Sequence, residues 1–186
     1  MRVAVYCGSA SGADPVFMNA TQALGQYFAE QGIEVVYGGG HVGLMGKIAD
    51  SVLAAGGRVS GVMPESLVKR EIAHSHLTSL TVVNNMHERK AQMADMADAF
   101  VALPGGAGTL EEIFEAWTWA QLGHHTKPCA FYNVQGFYDP LFAMIDNMVQ
   151  QGFLKDEYRQ MLIRVDEPDA LVKAFRDYQA PDEKWR

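Results

Sequence analysis

The sequence predicts an α/β fold: a three-layer α/β/α sandwich around a doubly wound parallel sheet. Short apolar runs alternate with longer amphipathic segments along the chain, which is the order of repeated strand–helix units. The runs are continuous rather than alternating, as in RVAVYC (2–7) and AFVALP (99–104), and this marks strands buried on both faces. Glycine clusters follow three of them, at Gly8 to Gly12, Gly38 to Gly46 and Gly105 to Gly108. Ligands of such sheets sit beyond the carboxyl ends of the strands, so the three turns predict one composite pocket.

The elements follow in order. RVAVYC is the first strand, and GSASGADP is a loop of small residues. From Pro15 an amphipathic helix carries Phe17, Ala20, Leu24, Tyr27 and Phe28 at helical spacing and stops at Gly32. IEVVYGGG is a strand running into glycines, and LMGKIADSVLAAGG is a helix closed by Gly56 and Gly57. RVSGVMP and SLTVVN are strands three and four; MHERKAQMADMAD is helical. AFVALP, TLEEIFEAWTWAQL and KPCAFYN read as strand, helix and strand, and FYDPLFAMIDNMVQQG as a helix. LIRV is a last strand and EPDALVKAFRDY a last helix.

The 186 residues suit one domain over 1–186, with a polar tail from about 179, and 48% hydrophobic content suffices for a core. No run is long and apolar enough to span a membrane, and the N-terminus lacks the pattern of a signal peptide. Two cysteines, Cys7 and Cys129, make no disulfide framework, so a cytoplasmic location is expected. A net charge of -7 argues against nucleic acid as a partner. The six histidines show no ligand spacing, so no metal is expected.

Two glycine loops compete as anion sites. GGGHVG (38–43) satisfies G-x-G-x-x-G, but the following strand ends at Pro64 before the first acid, Glu65. The dinucleotide reading is therefore weak, and a tight turn with close helix packing is the alternative. Lys47 follows Gly46, yet Ile48 stands where a phosphate loop needs Ser or Thr. In PGGAGTLEE (104–112), Thr109 serves as helix cap or phosphate contact, and free amides at the helix start attract anions.

Carboxylates crowd that same helix. At about 100° per residue, Leu110, Ile113, Phe114, Trp117, Ala120 and Gln121 form the buried stripe. Glu111, Glu112, Glu115, Thr118 and Trp119 then face solvent, a pocket mouth or a partner chain, and Trp119 favours one of the latter two. Acids in a first turn also complement the helix dipole, worth about 0.3–1 kcal/mol each. Phosphate and carboxylate share a site when the ligand carries an anion and a developing cation. A sugar phosphate losing its base does so, because the ribosyl ring becomes oxocarbenium-like. A matching cation comes from MHERK (86–90), where Arg89 and Lys90 occupy first turns that the dipole disfavours for cations. Pairing through Glu88 on a solvated face is the alternative.

GGGHVGLMG, MHERK and PGGAGTLEE together resemble the LONELY GUY family of cytokinin-activating nucleotide phosphoribohydrolases. The family motif PGGxGTxxE is matched by Pro104, Gly105, Gly106, Gly108, Thr109 and Glu112, and the likeness covers nearly the whole chain. Members were long labelled lysine decarboxylases, although no lysine here has a recognisable pyridoxal-phosphate context. The resemblance implies a Rossmann-like fold, a homodimer, and hydrolysis of adenosine-type nucleoside 5′-monophosphates to free base and ribose 5-phosphate without a cofactor. Cytokinin riboside monophosphates and AMP are the implied substrates. Arg89 and Glu112 are the implied catalytic pair. Lys90, Gly106, Ala107, Gly108, Thr109, Leu110, Glu111, Glu71 and Thr118 are the implied nucleotide contacts. Gly8, Ser9, Gly39, Gly40 and Gly105 join them by their place at strand ends. The other reading is a non-catalytic nucleotide sensor of the same fold.

Overall fold

The computed structural model describes residues 1–70 and 72–181. Seven strands form one all-parallel sheet: β1 (Arg2–Tyr6), β2 (Glu34–Tyr37), β3 (Val59–Pro64), β4 (Ser79–Val83), β5 (Ala99–Ala102), β6 (Cys129–Tyr132) and β7 (Leu162–Val165). Their spatial order is β4-β3-β2-β1-β5-β6-β7. The chain winds outward from β1 to β4, returns to the centre at β5, and winds outward the other way. The crevice between β1 and β5 is the switch point where such sheets bind ligands. The glycine loops after these strands meet there, with the Gly8 amide donating to the Pro104 carbonyl at 3.0 Å.

The helices are α1 (Pro15–Glu30), α2 (Gly43–Ala54), α3 (Glu65–Val68), α4 (Met86–Met96), α5 (Ala107–Gln121), α6 (Asp139–Gln150), α7 (Asp156–Gln160) and α8 (Pro168–Asp177). All strands and long helices expected from the sequence are present. The one-turn α3, the short α7 and a 3-10 turn at Val134–Gly136 were not anticipated, because segments this short show no periodicity to read. Adjacent strand residues point to opposite faces and build two cores. Val3 and Val5 pack with α1, α2 and α8 through Leu24, Phe28, Ile48, Val52, Leu171 and Phe175. Ala4 and Tyr6 pack with α4, α5 and α6 through Met93, Ile113, Trp117, Phe142 and Ile145.

Local chemistry sets the helix ends. Asp14 caps α1 by accepting from the Val16 amide at 2.8 Å, with Pro15 in the first turn. Asn85 caps α4 by accepting from the Glu88 amide, and Glu88 accepts in return from the Asn84 amide. Glu88 is thus engaged in capping, and the alternative in which it pairs with Arg89 or Lys90 falls away.

Candidate active site

The two glycine loops have opposite roles. At the start of α2, the Leu44 amide donates to the Gly8 carbonyl at 3.1 Å. A Cβ on Gly43 would lie 2.3 Å from the Ser9 carbonyl carbon, and one on Gly46 would lie 2.2 Å from the His41 oxygen. The α2 terminus is therefore plugged by the β1 loop, and its glycines serve tight packing, not a pyrophosphate. At the start of α5, by contrast, Gly106 is the cap residue and no side chain caps the helix. A Cβ on Gly106 or Gly108 would meet nothing within 4 Å. The first amides of α5 face open space and remain available to an anion.

Thr109 is not the cap, which corrects one of the two roles given to it. It is the third residue of α5, buried, with its hydroxyl oxygen 2.1 Å from where a Gly105 Cβ would stand. Gly105 is thereby restricted to glycine, and the loop is drawn against Gly8.

A cavity of about 420 Å³ opens over these amides, within the range of about 300–1,000 Å³ for small-molecule sites. Its polar side holds Gly106, Ala107, Gly108, Thr109, Glu111, Glu112 and Arg89, with Gly8, Ser9, Gly38 and Gly40 at the strand ends. Its apolar wall is Met45, Met63, Leu67, Ile72 and Met86. Sequence reasoning missed this wall. Its residues come from five separate places in the chain, and no local pattern brings them together. A second cavity of about 320 Å³ adjoins at Gly8, Ser9 and Gly106; Gly105 lines it with Phe17 and Phe137, and it contains no ionisable side chain.

Arg89 lies beneath the polar side, 8% exposed. Its Nε donates to the Val62 carbonyl and its Nη2 to the Gly38 carbonyl, each at 3.0 Å, while Nη1 lies 3.7 Å from the Met86 sulfur. The cation that the α4 dipole disfavours is thus fixed on one carbonyl just past β2 and one within β3. A Cβ on Gly38 would lie 1.8 Å from Nη2, so Gly38 makes room for the guanidinium. Much of the fork is spent on the protein, which leaves Nη1 and a fixed positive charge for the ligand.

The three glutamates divide. Lys90 Nζ bridges Glu111 at 2.5 Å and Glu115 at 2.9 Å, and these hydrogen bonds raise its pKa. Glu112 has no ion-pair partner among the described residues. Burial pushes its carboxyl from the ordinary 4.5 up to about 7, opposed by Arg89 and reinforced by Glu111. The helix therefore presents one half-buried carboxyl, poised near neutrality, to the cavity. Lys90 also holds this carboxyl down, so Lys90→Ala is expected to move the titration of Glu112 to higher pH. Carboxyl titration followed by NMR on labelled glutamate checks this.

The remaining expectations fall as follows. Glu71 lies outside the described residues. Thr118 is exposed on α5 and does not line the cavity. Leu110 is partly buried against the second core. Gly39 has φ +83° and turns toward Met63 and Leu80. Trp117, on the buried stripe expected from the sequence, is 3% exposed and donates from its indole to the Tyr158 carbonyl at 3.0 Å. It belongs to the core of its own chain. Trp119 lines a separate cleft with Asp95, His125 and Lys127. Among the described residues, no helix is long and apolar enough to cross a membrane.

Residues 45–175 match a family model described as "Possible lysine decarboxylase". The chain is 47% identical to the cytokinin riboside 5′-monophosphate phosphoribohydrolase LOG of Oryza sativa subsp. japonica, over 95% of this chain and 73% of that protein. It is 44% identical to the cytokinin riboside 5′-monophosphate phosphoribohydrolase LOG7 of Arabidopsis thaliana, over 96% of this chain and 82% of that one. Among solved structures, the molybdenum cofactor carrier protein from Chlamydomonas reinhardtii superposes with a TM-score of 0.68 at 17% identity, covering 94% of this chain and 95% of the carrier. That likeness shows the fold alone. With 43–47% identity to the plant enzymes over nearly its full length, a matching family model and the glycine loop and glutamate arranged around one cavity, the chain belongs to the LOG family of cytokinin riboside 5′-monophosphate phosphoribohydrolases.

Proposed function

We infer that this chain hydrolyses the N-glycosidic bond of cytokinin riboside 5′-monophosphates, releasing the free base and ribose 5-phosphate. The observation that carries the reading is the unpaired Glu112 carboxyl, one helical turn from amides that no side chain caps. Those amides, aided by the α5 dipole, would take the 5′-phosphate. The anomeric carbon then lies toward Glu112, and the base lies against the methionine-rich wall. Methionine suits an apolar base substituent because it is flexible and polarisable. AMP, lacking the substituent, is a second substrate in this proposal.

As the C1′–N9 bond lengthens, positive charge grows on the ribosyl ring and the Glu112 carboxylate stabilises it. Water adds its oxygen to C1′ and gives a proton to Glu112. A carboxyl poised near neutrality can return that proton to the departing base. Hydrolysis balances with water alone. Arg89, always protonated, supplies charge and orientation rather than a proton.

The test is release of base from AMP and from a prenylated analogue, with no added metal or nicotinamide cofactor. Appearance of ribose 5-phosphate in step with base is expected. Because the carboxylate is the active form, kcat/KM is expected to rise with pH through about 7 and to level off above it. Tight nucleotide binding with no product after prolonged incubation would instead favour the non-catalytic sensor. The homodimer is part of the proposal and is checked by sedimentation.

A further inference from the structure

We propose that His74 is a positioning residue for the nucleotide cavity: through Asp50 it pins the segment 72–76 across the β2 loop, so that Ile72 stays in the apolar wall. The inference rests on the proposed nucleotide site and adds residues that lie outside it.

The segment is tied to the 38–50 region by contacts of three kinds. Gly40 and Ala73 form an isolated antiparallel bridge, and the His74 amide donates to the Gly39 carbonyl at 2.8 Å. His41 Nδ1 is 2.8 Å from the Ile72 carbonyl oxygen. His74 Nε2 lies 2.7 Å from Asp50 Oδ1 on α2, with the imidazole only 7% exposed and the carboxylate 68% exposed. The other ring nitrogen, Nδ1, accepts from the His76 amide at 3.1 Å. The imidazole thus accepts on one side and donates to Asp50 on the other, so its orientation is fixed from both ends. Beneath this crossing, Tyr37 donates its hydroxyl to the Gly40 carbonyl at 2.7 Å, which holds the underlying loop in place.

The consequence for the cavity is direct. Ile72 belongs to the apolar wall of the cavity that Glu112 also lines, and it directly precedes the bridge residue Ala73. Without the pin, residues 72–76 would have to be ordered each time a nucleotide binds, and this entropy would be charged against affinity. The chemistry at Glu112 would be untouched once the ligand is seated. Loss of the pin therefore raises KM and leaves kcat alone, the signature of lost uniform binding.

The experiment compares His74→Ala, His74→Gln and Asp50→Ala with the parent chain, using AMP as the probe. Asp50 is exposed on α2 and alanine there removes the acceptor without disturbing the helix, so Asp50→Ala serves as the control for a His74→Ala chain that folds poorly. Measured are kcat and KM for base release, Kd for AMP by calorimetry, and amide exchange across 72–76. His74→Ala and Asp50→Ala are expected to raise KM and Kd by about 10-fold, with kcat within about two-fold. His74→Gln keeps a donor at the Nε2 position and is expected to restore most of the affinity. Exchange across 72–76 is expected to quicken in both unpinned variants. Unchanged Kd and exchange in Asp50→Ala would overturn the inference, as would a fall in kcat at constant KM. If the parent chain binds AMP without turnover, the hydrolase reading fails while Kd still tests the pin; if it binds no nucleotide, the inference falls with the site.

Discussion

Glu112→Gln is expected to lower kcat for base release by about 10²–10⁴-fold while leaving AMP affinity within a few-fold. Glutamine preserves shape and hydrogen-bonding capacity but can neither oppose a ribosyl cation nor carry a proton. The same substitution is expected to stabilise the protein at alkaline pH, and the sign follows from linkage. The folded-state pKa of about 7 lies above the ordinary 4.5 because burial disfavours the charged form. Below pH 4.5 the carboxyl is neutral in both folded and unfolded chains and costs nothing. Between 4.5 and 7 the folded chain holds a proton that the unfolded chain has released, so stability falls as pH rises. Above pH 7 the full penalty is present, of order 3 kcal/mol. Glutamine removes it, so the Tm of Glu112→Gln is expected to exceed that of the parent by roughly 6–12 °C at pH 8 and hardly at all at pH 4. A variant that is inactive and equally stable at both pH values would show that the carboxyl acts without being strained. A variant that retains turnover would remove the mechanism altogether. The combination of lost activity and gained stability is the mark of a group retained for its chemistry at the expense of the fold.

Arg89→Ala is expected to lower both activity and stability. Two buried carbonyls, of Val62 and Gly38, lose their donor at once. Hydrogen bonds to a charged group contribute about 1.5–3 kcal/mol each, so a loss of about 3–5 kcal/mol is expected by chemical denaturation. A domain of this size has only about 5–15 kcal/mol in hand, so the variant should fold but melt early. Turnover is expected to fall by more than about 10²-fold, since the fixed charge beside Glu112 disappears and its carboxyl moves further above neutrality. Arg89→Lys discriminates the two roles. A lysine restores positive charge but presents a single ammonium to two carbonyls that a planar fork bridges. It is therefore expected to recover part of the activity and less of the stability. A folded Arg89→Ala chain with near-parental turnover would confine Arg89 to a structural part.

These two residues also show how far the chain could be read before folding. The alternation of continuous apolar runs with amphipathic segments fixes a parallel sheet covered on both faces, because a strand buried twice cannot afford polar residues. The glycine turns and the PGGAGTLEE loop point to an anion site for an equally local reason: a helix start with small residues leaves its amides bare. Glu112 and Arg89 carry their identities in that local pattern. Which glycine loop is open, however, is decided by what packs against it. Gly43 lies under the β1 loop and Gly46 against the His41 backbone, whereas Gly106 and Gly108 face empty space, and the two loops look alike as strings of residues. Likewise, Glu111, Glu112 and Glu115 are equivalent on a helical wheel. Only the approach of Lys90 from α4 engages two of them and leaves the third to burial. Local spacing dictates which backbone groups lack partners; the crossing of β1, β5 and α4 dictates which charges gain them. The raised pKa of Glu112 arises from that second, non-local step, since a pKa depends on everything within a few ångströms and not on neighbours in sequence.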